Sequence, residues 1–122
     1  MFINSHRDLL IWQRSMDLVE MIYRLSTRFP RGEDYRLTAQ ITKAAVSVPG
    51  NIAEGYGRGM TNAYLNHLGI ANGSLLETET YVMLSERLGY AGAADIEEPL
   101  NAISEVGRML TSLRKNLRRS RQ

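Results

Sequence analysis

The sequence predicts an all-α protein: an antiparallel up-and-down four-helix bundle, helix two kinked at Pro49, forming a single domain over residues 1–122. Three observations predict it. Apolar residues recur every three or four positions in four separate stretches, the period of a helix face. No stretch shows the alternation of period two that marks a half-buried strand. The breaks between stretches are short and carry Gly or Pro, so successive helices fold back on one another.

Helix one is expected within 8–28, where Leu9, Trp12, Met16, Val19 and Tyr23 form one stripe. Leu10, Ile11, Leu18, Met21, Ile22 and Leu25 fall off that stripe, and apolar residues on more than one face predict association with further copies. The Phe29-Pro30 pair disfavours helix at Phe29, and Gly32 permits a turn. Glu33 and Asp34 then stand where a helix N-terminus favours negative charge.

Helix two carries the clearest stripe: Leu37, Ile41, Ala44, Val48, Ile52 and Gly55, widened by Ala45 and Tyr56. The segment G-Y-G-R-G at 55–59 ends it. Pro49 cannot donate to the carbonyl of Ala45, and its ring pushes that carbonyl away. An interior proline costs roughly 3 kcal/mol unless other groups compensate. Ser47, Asn51 and the backbone near Glu54 are therefore expected to satisfy the freed carbonyls and pin the kink. The sharper reading makes Asn51 and Glu54 a site. The glycines are not a phosphate loop, because they follow a helix rather than a strand and no Gly-Lys-Ser/Thr is present.

Thr61 is the expected N-cap of helix three, whose stripe reads Tyr64, Leu68, Ala71, Leu75, Val82 and Leu88, with a polar gap at Thr78–Glu79 and a stop at Gly89. Gly69 and Gly73, four apart, predict the close approach of another backbone, and Gly107 raises the same expectation in helix four. Asp95 is the expected cap of helix four, and its seam is Ile96, Leu100, Ile103, Val106, Leu110, Leu113 and Leu117.

Charge is distributed unevenly. Six basic and no acidic side chains follow Glu105 in the basic end 108–122, whereas residues 1–107 hold nine basic and thirteen acidic ones, for a charge of −4. A basic end on an acidic body points to an acidic partner. Arg114, Lys115, Arg118, Arg119 and Arg121 are the candidate contacts to phosphates of RNA or DNA. The bland alternative is a row of cations that complements a helix C-terminus and keeps the chain soluble. No aromatic residue interleaves with them, so sequence-specific single-strand readout is not expected.

No catalytic constellation is evident, and no enzyme activity, metal site or cofactor is expected. His6 and His67 are isolated in sequence, Glu77 and Glu79 point to different helix faces, and the serines lack a nucleophile elbow. The absence of cysteine excludes disulfides and thiolate chemistry and fits a reducing cytosol. No apolar run is long enough to span a membrane. The N-terminal MFINSHRDLLIW has no signal core, because Arg7 and Asp8 interrupt it.

Four segments, RDLLIWQRSMDLVEMIYRLSTRFP, LTAQITKAAVSVPGNIAEGYGR, LGIANGSLLETET and EVGRML, resemble in order and spacing the four-helix-bundle proteins often encoded in intervening sequences of bacterial 23S rRNA genes. The resemblance covers nearly all of 7–113. It implies a small helical subunit that assembles as a ring, commonly a homopentamer. It also implies a likeness in fold to the accessory variability protein of diversity-generating retroelements, a basic pentameric barrel that binds nucleic acid and a reverse transcriptase. The chain departs from the pattern at Gly50, usually serine, at Thr42, usually basic, and after Gly59, where charge is usually richer. The competing reading is an assembly or adaptor protein whose bundle end binds another protein and no nucleic acid.

Overall fold

The computed structural model describes residues 3–121, the side chain of Arg121 excepted. A 3₁₀ turn at His6–Asp8 leads into α1, Leu10–Ser26. A second 3₁₀ turn, Arg31–Glu33, precedes α2, Leu37–Gly57. Then come α3, Thr61–Arg87, and α4, Ala93–Arg121. Each helix packs on its two neighbours around a ring: α1 on α2 and α4, α3 on α2 and α4. Arg14 pairs with Glu105 and Arg28 with Asp95, so α1 and α4 run antiparallel. Ser47 meets Ser74 and Asn51 meets His67, so α2 and α3 do too.

The buried face of α1 is not the expected one. Ile11, Ser15, Leu18, Ile22 and Leu25 are buried, spaced 4, 3, 4, 3, while Met16 and Tyr23 are exposed and Leu9, Trp12 and Val19 only flank the core. Ser15 hides this seam in the sequence. Its hydroxyl donates to the Ile11 carbonyl at 2.7 Å, so a polar residue occupies an apolar line with its hydrogen bond made. Ile11, Leu18, Ile22 and Leu25 are thus absorbed by the protomer's own core, and they give no ground for association. Of the off-stripe residues, Leu10 alone is exposed and Met21 is half-buried.

In α2 the expected stripe is the buried one: Leu37, Ile41, Ala44, Ala45, Val48, Ile52 and Gly55, joined by Pro49. Helical conformation is unbroken across Pro49, so the proline neither ends nor splits the helix. The acidic pair precedes this helix by several residues: Glu33 closes a 3₁₀ turn, and the first turn of α2 holds no acid.

In α3 the polar gap is filled from within. Thr78 and Ser85 are both buried, and they donate to Ser74 O and Val82 O. The seam therefore runs through Leu68, Ala71, Leu75, Thr78, Val82 and Ser85, and Leu88 lies outside it, 49% exposed. Met60, not Thr61, stands at the N-cap, without a side-chain hydrogen bond. Gly89 ends the helix with φ +78. The bonds Tyr90 N–H to Ser85 O and Gly89 N–H to Glu86 O, both 2.9 Å, make a Schellman motif.

Asp95 is the third residue of α4 rather than its cap, and its Oδ2 accepts from the Gly92 N–H at 2.8 Å. Along α4, Ile96, Ile103, Val106 and Leu110 are buried, and Leu100, Leu113 and Leu117 pack against the core from its edge.

The close approach sits at Gly55, not at Gly69 and Gly73. A Cβ on Gly55 would lie 2.7 Å from His67 Cβ and 3.1 Å from Tyr64 Cδ1, whereas one on Gly73 would meet nothing within 4 Å. Gly69 faces the Arg114 guanidinium and Gly107 faces Leu75, both side chains rather than backbone.

Candidate functional site

Two groupings of polar side chains stand apart from the core. The first follows from α2 spacing. Ser47, Asn51, Glu54 and Arg58 are three or four apart and so share one flank. On α3, His67 and Ser74 are seven apart and share another. The contact at Gly55 brings the two flanks together. Ser74 Oγ donates to Ser47 Oγ at 2.8 Å. Asn51 Nδ2 donates to the Ser47 carbonyl at 2.9 Å and to its hydroxyl at 3.0 Å. Asn51 Oδ1 then faces His67 Nδ1 at 3.0 Å, which places a hydrogen on Nδ1. On the other side of the ring, Nε2 lies 3.6 Å from Glu54 Oε2, and Arg58 Nη2 donates to the same oxygen at 2.6 Å.

His67 is therefore not isolated, and its side chain is only 13% exposed. Its sequence neighbours gave no sign of this, because its partners come from the facing helix. Asn51 does not reach the carbonyl that Pro49 frees. That of Ala45 lies more than one turn back, and the amide bonds Ser47 instead. Glu54 is exposed, and the Arg58 hydrogen bond, helped by His67, holds its carboxyl below the usual range. Tyr64, beside Gly55, has a buried hydroxyl with no hydrogen-bond partner among the described residues. Burial, with Tyr56 adding to it, pushes that phenol up to about 12. His6 packs edge-on against Trp12 at 5.1 Å.

The second grouping is the basic end of α4. Helical conformation continues to Arg121, whose side chain lies outside the described residues. Lys115, Arg118 and Arg119 are exposed. Arg114 differs. It is half-buried, its Nη2 lies against the bare Gly69 of α3, and its Nε is shut off from water without an acceptor among the described residues. Arg108 is exposed and lies along its own helix, donating to Ser104 Oγ at 2.7 Å. Arg14, Arg24, Arg28 and Arg58 of the body all stand in ion pairs. Among the described residues no carboxylate pairs with Arg114, Lys115, Arg118 or Arg119.

Among the described residues, no group of three or more His, Cys, Asp and Glu side chains is placed to hold a metal ion. No helix among them is long and apolar enough to cross a membrane.

Fold and site together define an all-helical bundle protein with a polar α2–α3 contact and a cationic helix end. The chain belongs to the 23S rRNA-intervening sequence protein family, whose model matches residues 7–112. It is also similar in fold to a crystal structure of a protein of unknown function from the S23 ribosomal protein family of Bacteroides thetaiotaomicron. That likeness has a TM-score of 0.80 at 23% identity and covers 87% of this chain and 99% of the other. Among curated proteins none matches the chain.

Proposed function

We propose that this protein is a non-enzymatic, cytoplasmic homo-oligomer that binds RNA or DNA without sequence preference through the C-terminal end of α4. One observation carries the reading. Lys115, Arg118 and Arg119 lie within five residues of one another on the exposed end of a helix, with no acid after Glu105 and no acidic partner among the described residues, whereas Arg14, Arg24, Arg28 and Arg58 of the body are paired with carboxylates. Phosphates are the partners such a row suits, and each contact releases counterions. The lack of an aromatic among residues 108–122 argues against base stacking and so against sequence selection. A ring of subunits, five by family resemblance, repeats the cations and strengthens weak contacts by avidity. Exposed Ile70, Leu76, Met83 and Leu84 of α3 supply apolar surface for such assembly.

Fluorescence anisotropy with a labelled RNA and a DNA of equal length tests the reading. Binding is expected at low salt, falling steeply between about 50 and 200 mM. It is expected to vanish when Arg114, Lys115, Arg118, Arg119 and Arg121 are all replaced by glutamine. Binding by that variant equal to the parent's would overturn the reading and favour a protein partner. Light scattering that finds only a 13.8 kDa species would remove the oligomer.

A further inference from the structure

A cavity of about 230 Å³ opens between α2 and α3, lined by Gln40, Lys43, Ala44, Ser47, Ser74 and Glu77. It is separate from the basic end of α4, and three features give it a ligand chemistry. The first is a count of hydroxyl protons. Ser47 Oγ already accepts from Asn51 Nδ2 at 3.0 Å and from Ser74 Oγ at 2.8 Å. One proton serves the contact between the two hydroxyls. The other is left without an acceptor among the described residues, on the wall of a polar cavity.

The second feature is charge. Lys43 stands on one helix and Glu77 on the other, both lining the same cavity, yet they form no ion pair with each other or with any other described group. Among the described residues Glu77 accepts only a long hydrogen bond, 3.4 Å, from Tyr81. Two opposite charges that line one cavity without pairing suit a molecule that bears both complementary charges. The third feature is enclosure: Ala44 and Ser74 are buried, so the inner wall is fixed by packing while the charged groups stand at the exposed rim.

We propose that this cavity binds a small zwitterion of the amino-acid type. The ligand's carboxylate faces Lys43 and the spare serine hydroxyl, and its ammonium faces Glu77. Charge-assisted hydrogen bonds at both ends then hold it.

The test uses the full chain with glycine, L-alanine and L-serine as probes, with acetate and methylammonium as half-ligand controls, read by calorimetry and thermal melting. At least one amino acid is expected to bind saturably and raise Tm. Lys43→Gln and Glu77→Gln are each expected to weaken it by about tenfold or more, one lost ionic contact each. Both side chains are exposed, so unliganded melts of the two variants are expected to match the parent. Absence of binding by all three amino acids at millimolar concentration overturns the proposal. So does binding that survives the double variant, or acetate or methylammonium alone binding as well as the amino acids. Any of these outcomes leaves the nucleic-acid reading untouched, because the anisotropy test probes α4.

Discussion

His67 Nδ1 lies 3.0 Å from Asn51 Oδ1, joining α3 to α2 across a sequence separation of 16. The Asn51 amide is fully committed: its nitrogen serves Ser47 and its oxygen serves the imidazole. Asn51 is thus an interhelical connector rather than the local clamp of a proline kink. Its replacement by alanine strands the imidazole N–H in a mostly buried setting. Asn51→Ala is expected to destabilise the fold by about 1–3 kcal/mol, the cost of an unpaired buried donor. Urea unfolding checks this, and a midpoint equal to the parent's would show that water replaces the amide freely.

Glu54 gives the contact a pH dependence. Arg58 first, and His67 second, hold its carboxyl below the ordinary value of 4.5. A carboxyl depressed in the folded state contributes stability that is complete above that ordinary value and is lost as pH falls through the lower folded one. Parent and Glu54→Gln melts are therefore expected to differ at neutral pH and to converge in acid below 4.5. A difference that persists unchanged into strong acid would assign it to packing. The carboxyl is exposed, so salt is expected to narrow the neutral-pH difference.

Tyr64 runs the other way. An unfolded phenol ionises near 10, whereas the folded one keeps its proton up to about 12. The unfolded state binds fewer protons in that window, so stability falls as pH rises across it. Tyr64→Phe is expected to flatten part of this alkaline slope. It also removes a buried hydroxyl that has no partner among the described residues. At neutral pH it is therefore expected to be neutral or stabilising, by up to about 1 kcal/mol. Loss of stability in Tyr64→Phe at pH 7 would reveal a hydrogen bond to that oxygen.

The glycines of α2 separate packing from propensity. At Gly55 a methyl would sit 2.7 Å from His67 Cβ, against the α3 side chains and the Tyr64 carbonyl. Gly55→Ala is expected to cost about 1–3 kcal/mol through overpacking. Gly50 is exposed and a methyl there meets nothing within 4 Å. Gly50→Ala is expected to stabilise by up to about 1 kcal/mol through helix propensity alone. Paired thermal melts of opposite sign check both.

The helices were legible because three of the four seams are largely aliphatic, as Leu37 to Gly55 shows in α2. The buried face of α1 is hidden in the sequence for a single physical reason. Ser15, bonded to its own helix, sits in the core like a small apolar residue, while Trp12 only flanks the core and Met16 and Tyr23 are exposed. Thr78 and Ser85 concealed the middle of the α3 seam in the same way. The polar α2–α3 contact was half legible. Asn51 and Glu54 stood out beside Pro49, but His67 and Ser74 acquire partners only when the chain turns back at Gly59. The basic end was read directly from charge, whereas the burial of Arg114 depends on a bare glycine of α3, which no spacing within α4 reveals.

That burial divides the proposed nucleic-acid contacts. Lys115, Arg118 and Arg119 extend into water, where a phosphate can replace hydration. The Arg114 guanidinium rests on α3 at Gly69, with Nε already removed from solvent. Replacing Lys115, Arg118 and Arg119 together by glutamine is expected to reduce the slope of log Kd against log salt by about 2–3, close to one counterion per lost contact. Arg114→Gln is expected to leave that slope nearly unchanged. Anisotropy titrations at four salt concentrations compare the variants. A slope reduced as much by Arg114→Gln as by Arg118→Gln would show that Arg114 leaves Gly69 to reach phosphate, and the packed arginine would then count among the contacts.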